Sequence, residues 1–257
     1  MNEEKSFSKY KTRGPDYHYK QITKSNIKLY NAFISAKYYL ELSLILRLIK
    51  KGEGRESPIK ILDVGCGDGV MFFLLEKRFP NYNFDLFGID NSNIALDIAN
   101  KKVKNAHFKN ADVYNLPFED NSFDLIISSD VIEHVVNYEK MLSEIKRVGK
   151  YGAFVIIGTP LRYLEKSTDK THYHEFYPEE FHKLLEKYFT GVKTLQSHKL
   201  LYLLLYNKKL VLFGRKFDVF RYIFNFLTIF VGRNPFLKIK RDDNDVFSYI
   251  FGIGKIQ

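Results

Sequence analysis

One cysteine, Cys66, is all the thiol that the 257 residues contain. An internal disulfide is thereby excluded, and with it the small, disulfide-stapled secreted class. No apolar run resembling a secretory signal occurs in the first thirty residues, so a reducing, cytoplasmic location is expected. Long apolar stretches are missing as well. The longest charge-free run of the aromatic-rich stretch 199–241 is 222–232, 11 residues, against about 20 for a helix that spans a bilayer, and no transmembrane span is expected. Acidic residues are the scarcer charge, 30 against 40 Lys and Arg. The resulting net charge of +10 suits anionic company: a phosphorylated small molecule, an anionic membrane surface or nucleic acid. Internal repeats and low-complexity linkers are absent.

What is present is a chain 45% hydrophobic and 27% charged, the composition of a globular protein able to bury a full core. Between residues 59 and 157, short apolar, β-branched runs alternate with helical-period segments. The expected strands are 59–64, 84–89, 106–111, 123–129 and 152–159, and the expected helices 69–79, 92–103 and 137–148, the second opening on the capping residue Ser92. This alternation predicts a doubly wound, mostly parallel α/β sheet covered on both faces, with ligands at the carboxyl ends of the strands. Beyond Pro160 a helix is expected at 178–189, with proline at its first position and glutamates in its first turn, and further strands at 191–198 and 247–256.

The stretch "ILDVGCGDG" ends the first strand in Asp63 and turns on Gly65, Gly67 and Gly69 into a helix, bringing bare backbone amides to one point where an anionic or strongly polar group binds. The nicotinamide spacing would require glycine at the sixth position of the turn, where Val70 stands. Asp90 closes the second strand in "FGID", 25 positions past Gly65, where a carboxylate can accept both hydroxyls of a ribose. Asp112 follows the third strand.

In order and separation, "ILDVGCGDG", "GID", "DVYNLPFEDNSFDLIISSDVIEHV" and "GAFVIIGTP" resemble successive motifs of the Rossmann-like (class I) S-adenosylmethionine-dependent methyltransferases, small-molecule type, over residues 59–160. The resemblance implies that fold, with S-adenosyl-L-methionine as cofactor and S-adenosyl-L-homocysteine as product. It implies that Asp63, Gly65, Cys66 and Gly67 surround the methionine part, that Asp90 holds the ribose with Asn91 beside the adenine, and that Asp112 meets the adenine amino group with Val113 against the ring. Ser129 would form the floor beneath the methionine moiety. Cys66 is read as a small lining residue rather than a nucleophile.

Methyl transfer to a hydroxyl needs alignment and removal of a proton. The candidate catalytic residues are His134, just past the fourth strand, and His172 and His174 in "DKTHYHEFYPEEF". If that segment is extended, the latter two face one way, toward the acceptor, with Tyr173 and Glu175 on the other side; His134 is the expected neighbour of the cofactor's sulfur. His-x-His with Asp169 and Glu175 nearby is a common spacing, and no metal is expected. Amino-methylation of DNA bases would require an Asn/Asp-Pro-Pro-aromatic turn where this chain has "SSDV", and carbon methylation of cytosine a dedicated cysteine. The "EHV" after the fourth strand and the "H-x-x-E/F-x-P-E-E" pattern after the fifth are similar to small-molecule methyltransferases, among them quinone-pathway O-methyltransferases and enzymes that decorate surface sugars.

The expected organisation is a helical cap or lid at 1–58, in which Tyr17, His18, Tyr19 and Lys20 are lid candidates, a cofactor-binding core at 59–198, a basic, aromatic-rich helical insertion at 199–241, and a final strand of the core sheet at 242–257. The insertion holds ten basic residues against one acidic, a net +9 of the chain's +10. It is read first as a substrate lid and second as peripheral contact with an anionic membrane, with nucleic acid last because no recognition module accompanies the charge. The expected activity is methyl transfer to a hydroxyl, or an amine, of a small molecule, a saccharide or lipid-linked intermediate, with an anionic acceptor compatible with the charge. The alternatives are an RNA methyltransferase and a catalytically silent cofactor-binding scaffold of the same fold.

Overall fold

The computed structural model describes residues 17–24, 26–50, 58–163, 169–212, 214–237 and 245–257. Among the described residues, two N-terminal helices, α1 (Tyr17–Ile22) and α2 (Ala32–Ile49), precede the sheet domain. Asn31 caps α2, its side chain accepting from the Ile34 amide at 3.2 Å. The sheet domain then runs β1 (Ile59–Val64), α3 (Val70–Arg78), β2 (Phe84–Asp90), α4 (Asn93–Lys102), β3 (Ala106–Asn110), β4 (Phe123–Ser129), α5 (Tyr138–Val148), β5 (Gly149–Pro160), α6 (Pro178–Glu186) and β6 (Thr190–Lys199). The insertion comprises α7 (Leu200–Asn207), a hairpin of β7 (Leu210–Leu212) and β8 (Arg215–Phe217), and α8 (Val219–Phe230); β9 (Phe247–Lys255) follows.

Seven strands form one sheet in the order β3-β2-β1-β4-β5-β9-β6. The first five are parallel, while β9 runs antiparallel to both neighbours. The order reverses between β1 and β4, so their carboxyl ends open a crevice at that point. Period-two alternation feeds a core on each face: Ile61, Leu86, Leu125 and Ile156 pack beneath α2 and α3, while Leu62, Ile126 and Val155 pack against α5 and α6. A third cluster joins the insertion to the start of α2 through Tyr30, Ala32, Ala36, Tyr206, Phe224 and Phe236.

The insertion, read from sequence as helical, also contains the β7–β8 hairpin, which turns at Gly214 with φ +74°. Among the described residues, no helix is long and apolar enough to cross a membrane.

Candidate functional site

The carboxyl end of β1 passes into a turn in which Gly65, Gly67 and Gly69 all have left-handed φ values of +80°, +54° and +77°. The Gly65 and Cys66 amides both donate to the Ile89 carbonyl, at 2.8 and 2.9 Å, which ties the turn to β2. A Cβ on Gly65 would stand 2.2 Å from Val131 Cγ2, so the second residue past β4 leaves no room for one unless it shifts. Asp90 is buried, and its two oxygens accept from the Gly67 and Ser92 amides, each at 2.9 Å. It therefore shapes the glycine turn and the start of α4 from a single position. Asp112 is exposed and accepts from the Tyr114 amide at 2.9 Å, closing a local turn past β3. Val113 packs at the edge of the core. Asn91 is exposed, its carbonyl accepting from Asn110 Nδ2 at 3.2 Å.

Helix α2 crosses the crevice between β1 and β4. Lys37, Tyr38 and Glu41 from this helix, with Asp63, Cys66 and Ser129 from the strand ends, line a cavity of about 50 Å³. Ser129 Oγ donates to Glu41 Oε1 at 2.5 Å, and the Lys37 ammonium pairs with the Asp130 carboxylate. Burial pushes the Glu41 carboxyl up to about 6. Asp63 is held well above the ordinary carboxylate range by burial and by the charges of Glu41 and Asp90. Burial and the nearby carboxylates also raise the Cys66 thiol, keeping it protonated and poorly nucleophilic at neutral pH. The buried carboxylates of Asp63 and Glu41 and the Lys37 ammonium give the cavity acceptors and a donor, which suits a group carrying both an ammonium and a carboxylate. Helix α1 closes on the same turn: His18 Nδ1 lies 3.0 Å from Asp68 Oδ2, and Tyr19 donates to the Asp68 carbonyl at 2.6 Å.

Lys37 and Glu41 were not among the residues expected at the site. Their signal is nonetheless in the sequence: two charges four apart in "AFISAKYYLELSLILRLI" share a helix face with Leu40, Leu44 and Ile45, and all five are buried.

Farther along the crevice, the chain leaves β4 through Asp130, with φ +57°, into a short 3₁₀ turn, Ile132–His134. Glu133 is fully buried; its Oε2 accepts from Thr159 Oγ1 at 3.0 Å, and its carbonyl accepts from the Tyr173 amide at 2.7 Å. Burial raises the Glu133 carboxyl to about 7. The His134 and His172 rings meet edge to face with centroids 4.8 Å apart. His134 Nδ1 lies 3.2 Å from the Thr171 carbonyl, and His172 Nδ1 lies 2.6 Å from Glu175 Oε1.

His174 does not join them. It reaches Glu180 Oε1 at 2.8 Å and packs on Phe176 with centroids 4.4 Å apart. The expectation that His172 and His174 face one way, with Glu175 opposite, is therefore corrected. Asp169 accepts from the Thr171 amide at 2.8 Å and, through its carbonyl, from the His172 amide at 3.2 Å, curling the segment into a turn where the sequence pattern suggested an extended run.

Against known proteins, residues 62–157 match the family described as a methyltransferase domain. An uncharacterized protein of Methanocaldococcus jannaschii is 36% identical over 135 residues, 51% of this chain and 52% of that protein. Demethylmenaquinone methyltransferase of Thermotoga maritima is 34% identical over 101 residues, 39% of this chain and 43% of that protein. The chain thus spans about half the length of these curated relatives, or less. Among solved structures, a SAM-dependent methyltransferase from Archaeoglobus fulgidus has a TM-score of 0.53 at 21% identity, covering 85% of this chain and 94% of that one, which is a likeness of fold. Residues 62–157 thus match a methyltransferase domain, and the sheet order and glycine turn give the chain a fold like that of the S-adenosylmethionine-dependent methyltransferases.

Proposed function

We propose that the protein transfers the methyl group of S-adenosylmethionine to a hydroxyl of a small molecule, a lipid-linked or saccharide intermediate. The observation that carries this reading is the cavity at the ends of β1 and β4, where Asp63, Glu41 and Lys37 stand beside the left-handed glycine turn. In this reading Asp63, Gly65, Cys66 and Gly67 enclose the cofactor's methionine part over Ser129, Asp90 takes the ribose, and Asn91, Asp112 and Val113 border the adenine. His134 and His172 form the acceptor end, with His174 supporting the loop from Glu180. The S–CH₃ bond breaks with its electron pair staying on sulfur, the C–O bond forms from an oxygen lone pair, and the hydroxyl proton leaves toward the histidines.

A lipid acceptor is favoured by the insertion. On α8, Tyr222, Ile223, Phe226 and Phe230 form an exposed apolar stripe opposite the buried Phe224, Asn225 and Thr228, and exposed Lys208, Lys209, Arg215 and Lys216 flank it. A second reading, methylation of a ring carbon in a quinol, draws on the demethylmenaquinone methyltransferase relative. Calorimetry with S-adenosylhomocysteine tests the cofactor assignment, because the product keeps the groups the turn would recognise. Asp90→Ala is expected to weaken that binding by about 1 to 3 kcal/mol, and an unchanged affinity in a folded variant removes Asp90 from the site. Incubation with cofactor and a lipid or polar metabolite extract, followed by mass spectrometry for the gain of one methyl, separates the acceptor classes.

A further inference from the structure

We propose that Glu133, His134 and His172 form a binding site for a divalent transition-metal ion. One ligand atom from each of the three residues lies within 4.8 Å of the others. A metal with bonds of about 2.0 to 2.2 Å holds such atoms about 3 to 4 Å apart, so a small inward shift of the two rings completes the site. Glu133 points to a ligand independently of the cluster. It is fully buried, one oxygen accepts from Thr159, and the other, Oε1, has no hydrogen-bond partner among the described residues. An interior carboxylate oxygen left unpaired is costly, and a cation relieves that cost directly.

The surroundings of both histidines fit the same role. The Thr171 carbonyl can only accept, so the His134 Nδ1 contact at 3.2 Å puts the proton on Nδ1 and the lone pair on Nε2. Glu175 does the same for His172 at 2.6 Å. A carbonyl or carboxylate on one ring nitrogen, orienting the other, is the usual outer support of a metal-bound imidazole. Asp169 Oδ2 lies 3.8 Å from His172 Nε2, a second carboxylate at the open side. Two imidazoles and one carboxylate suit zinc, cobalt, iron or manganese better than calcium or magnesium.

The ion's role rests on the methyl-transfer reading. With the ion bound at the acceptor end of the crevice, His134 and His172 would serve as its ligands in place of acting as the base: the ion would take the acceptor oxygen and lower its pKa, so that the hydroxyl proton leaves to solvent.

The test uses the full chain, stripped with chelator and titrated with cobalt(II) by visible absorption and with zinc(II) by calorimetry. One ion per chain is expected, with cobalt bands of a nitrogen- and oxygen-coordinated site. Glu133→Gln and His172→Ala should each weaken binding by at least about 100-fold, whereas His174→Ala and His107→Ala should not change it. Circular dichroism and S-adenosylhomocysteine affinity report that the variants are folded. The inference is overturned if no stoichiometric ion binds, or if Glu133→Gln and His172→Ala bind as the parent does. Ion binding by a chain that does not bind S-adenosylhomocysteine would leave the metal site standing and remove the methyl-transfer reading. The reverse result would do the opposite.

Discussion

Gly65 has two reasons to lack a side chain, and they can be separated. Its φ of +80° costs an alanine about 1 to 2 kcal/mol, and the added Cβ would meet Val131 Cγ2 at 2.2 Å. Gly65→Ala should therefore lose most S-adenosylhomocysteine affinity, and adding Val131→Ala should restore part of it in the same titration. No recovery would mean that the backbone conformation alone sets the requirement. His198 offers a different residue-level test. It is fully buried between Ser197 Oγ at 2.8 Å and the Phe33 carbonyl at 3.0 Å, and burial pushes its pKa down to about 3. Unfolded, it titrates near 6.5, so between those values the unfolded chain binds the extra proton. Its contribution to stability is complete above pH 6.5 and is lost as pH falls toward 3. The stability gap between the parent and His198→Gln, followed by denaturation, should shrink by up to about 1.4 kcal/mol per pH unit below 6.5. Asp63, Gly65 and Asp90 could be read from the sequence because glycines and carboxylates at strand ends carry a local pattern. Glu41 could not be tied to them, since its partner Ser129 lies 88 positions away and no local spacing encodes that contact.

Element by element, period and capping carried the sheet domain: β1 and β4 have the expected bounds, and Ser92 caps α4 through the Ala95 amide. The loop after β5 was the failure. Alternation of His172 and His174 reads as an extended run only while Asp169 is ignored, and its turn-forming bonds separate the two rings. What joins the insertion to α2 was equally hidden. Asn225 donates to the Ile27 and Tyr30 carbonyls at 3.0 and 2.7 Å and accepts from Tyr206 at 3.0 Å, with Asn225, Tyr30 and Tyr206 all buried. Asn225→Leu keeps the side chain's branching and number of heavy atoms but removes these bonds. It should destabilise the chain by about 1 to 3 kcal/mol for each carbonyl left unpaired, read as a lower denaturant midpoint. A midpoint within experimental error of the parent would mean that the insertion and α2 are not energetically joined there.

For the whole molecule, the distribution of charge matters more than its sum. The insertion carries nearly all of the net positive charge and a run of exposed aromatics on the same elements. The chain should sediment with vesicles containing anionic lipid and be released by salt, since each basic residue near the surface contributes about 1 kcal/mol. Phe226→Asp with Phe230→Asp should weaken that binding, and equal binding to neutral vesicles would argue against electrostatic attachment. The sequence could indicate a basic, aromatic segment; whether its apolar residues face inward or outward depended on packing against Tyr30 and Ala36, which only the folded chain reveals. The sheet order also bears on how the protein is made. β9 fills the slot between β5 and β6, with eight of its nine residues buried or half-buried. A nascent chain on the ribosome can pair β1 to β5 as each emerges. The edge of β5 then stays open, and β6 has no strand to join, until residues 247–255 are translated. For that interval a holding chaperone would find its binding site on β5, and the sheet would become complete only once residues 247–255 have emerged.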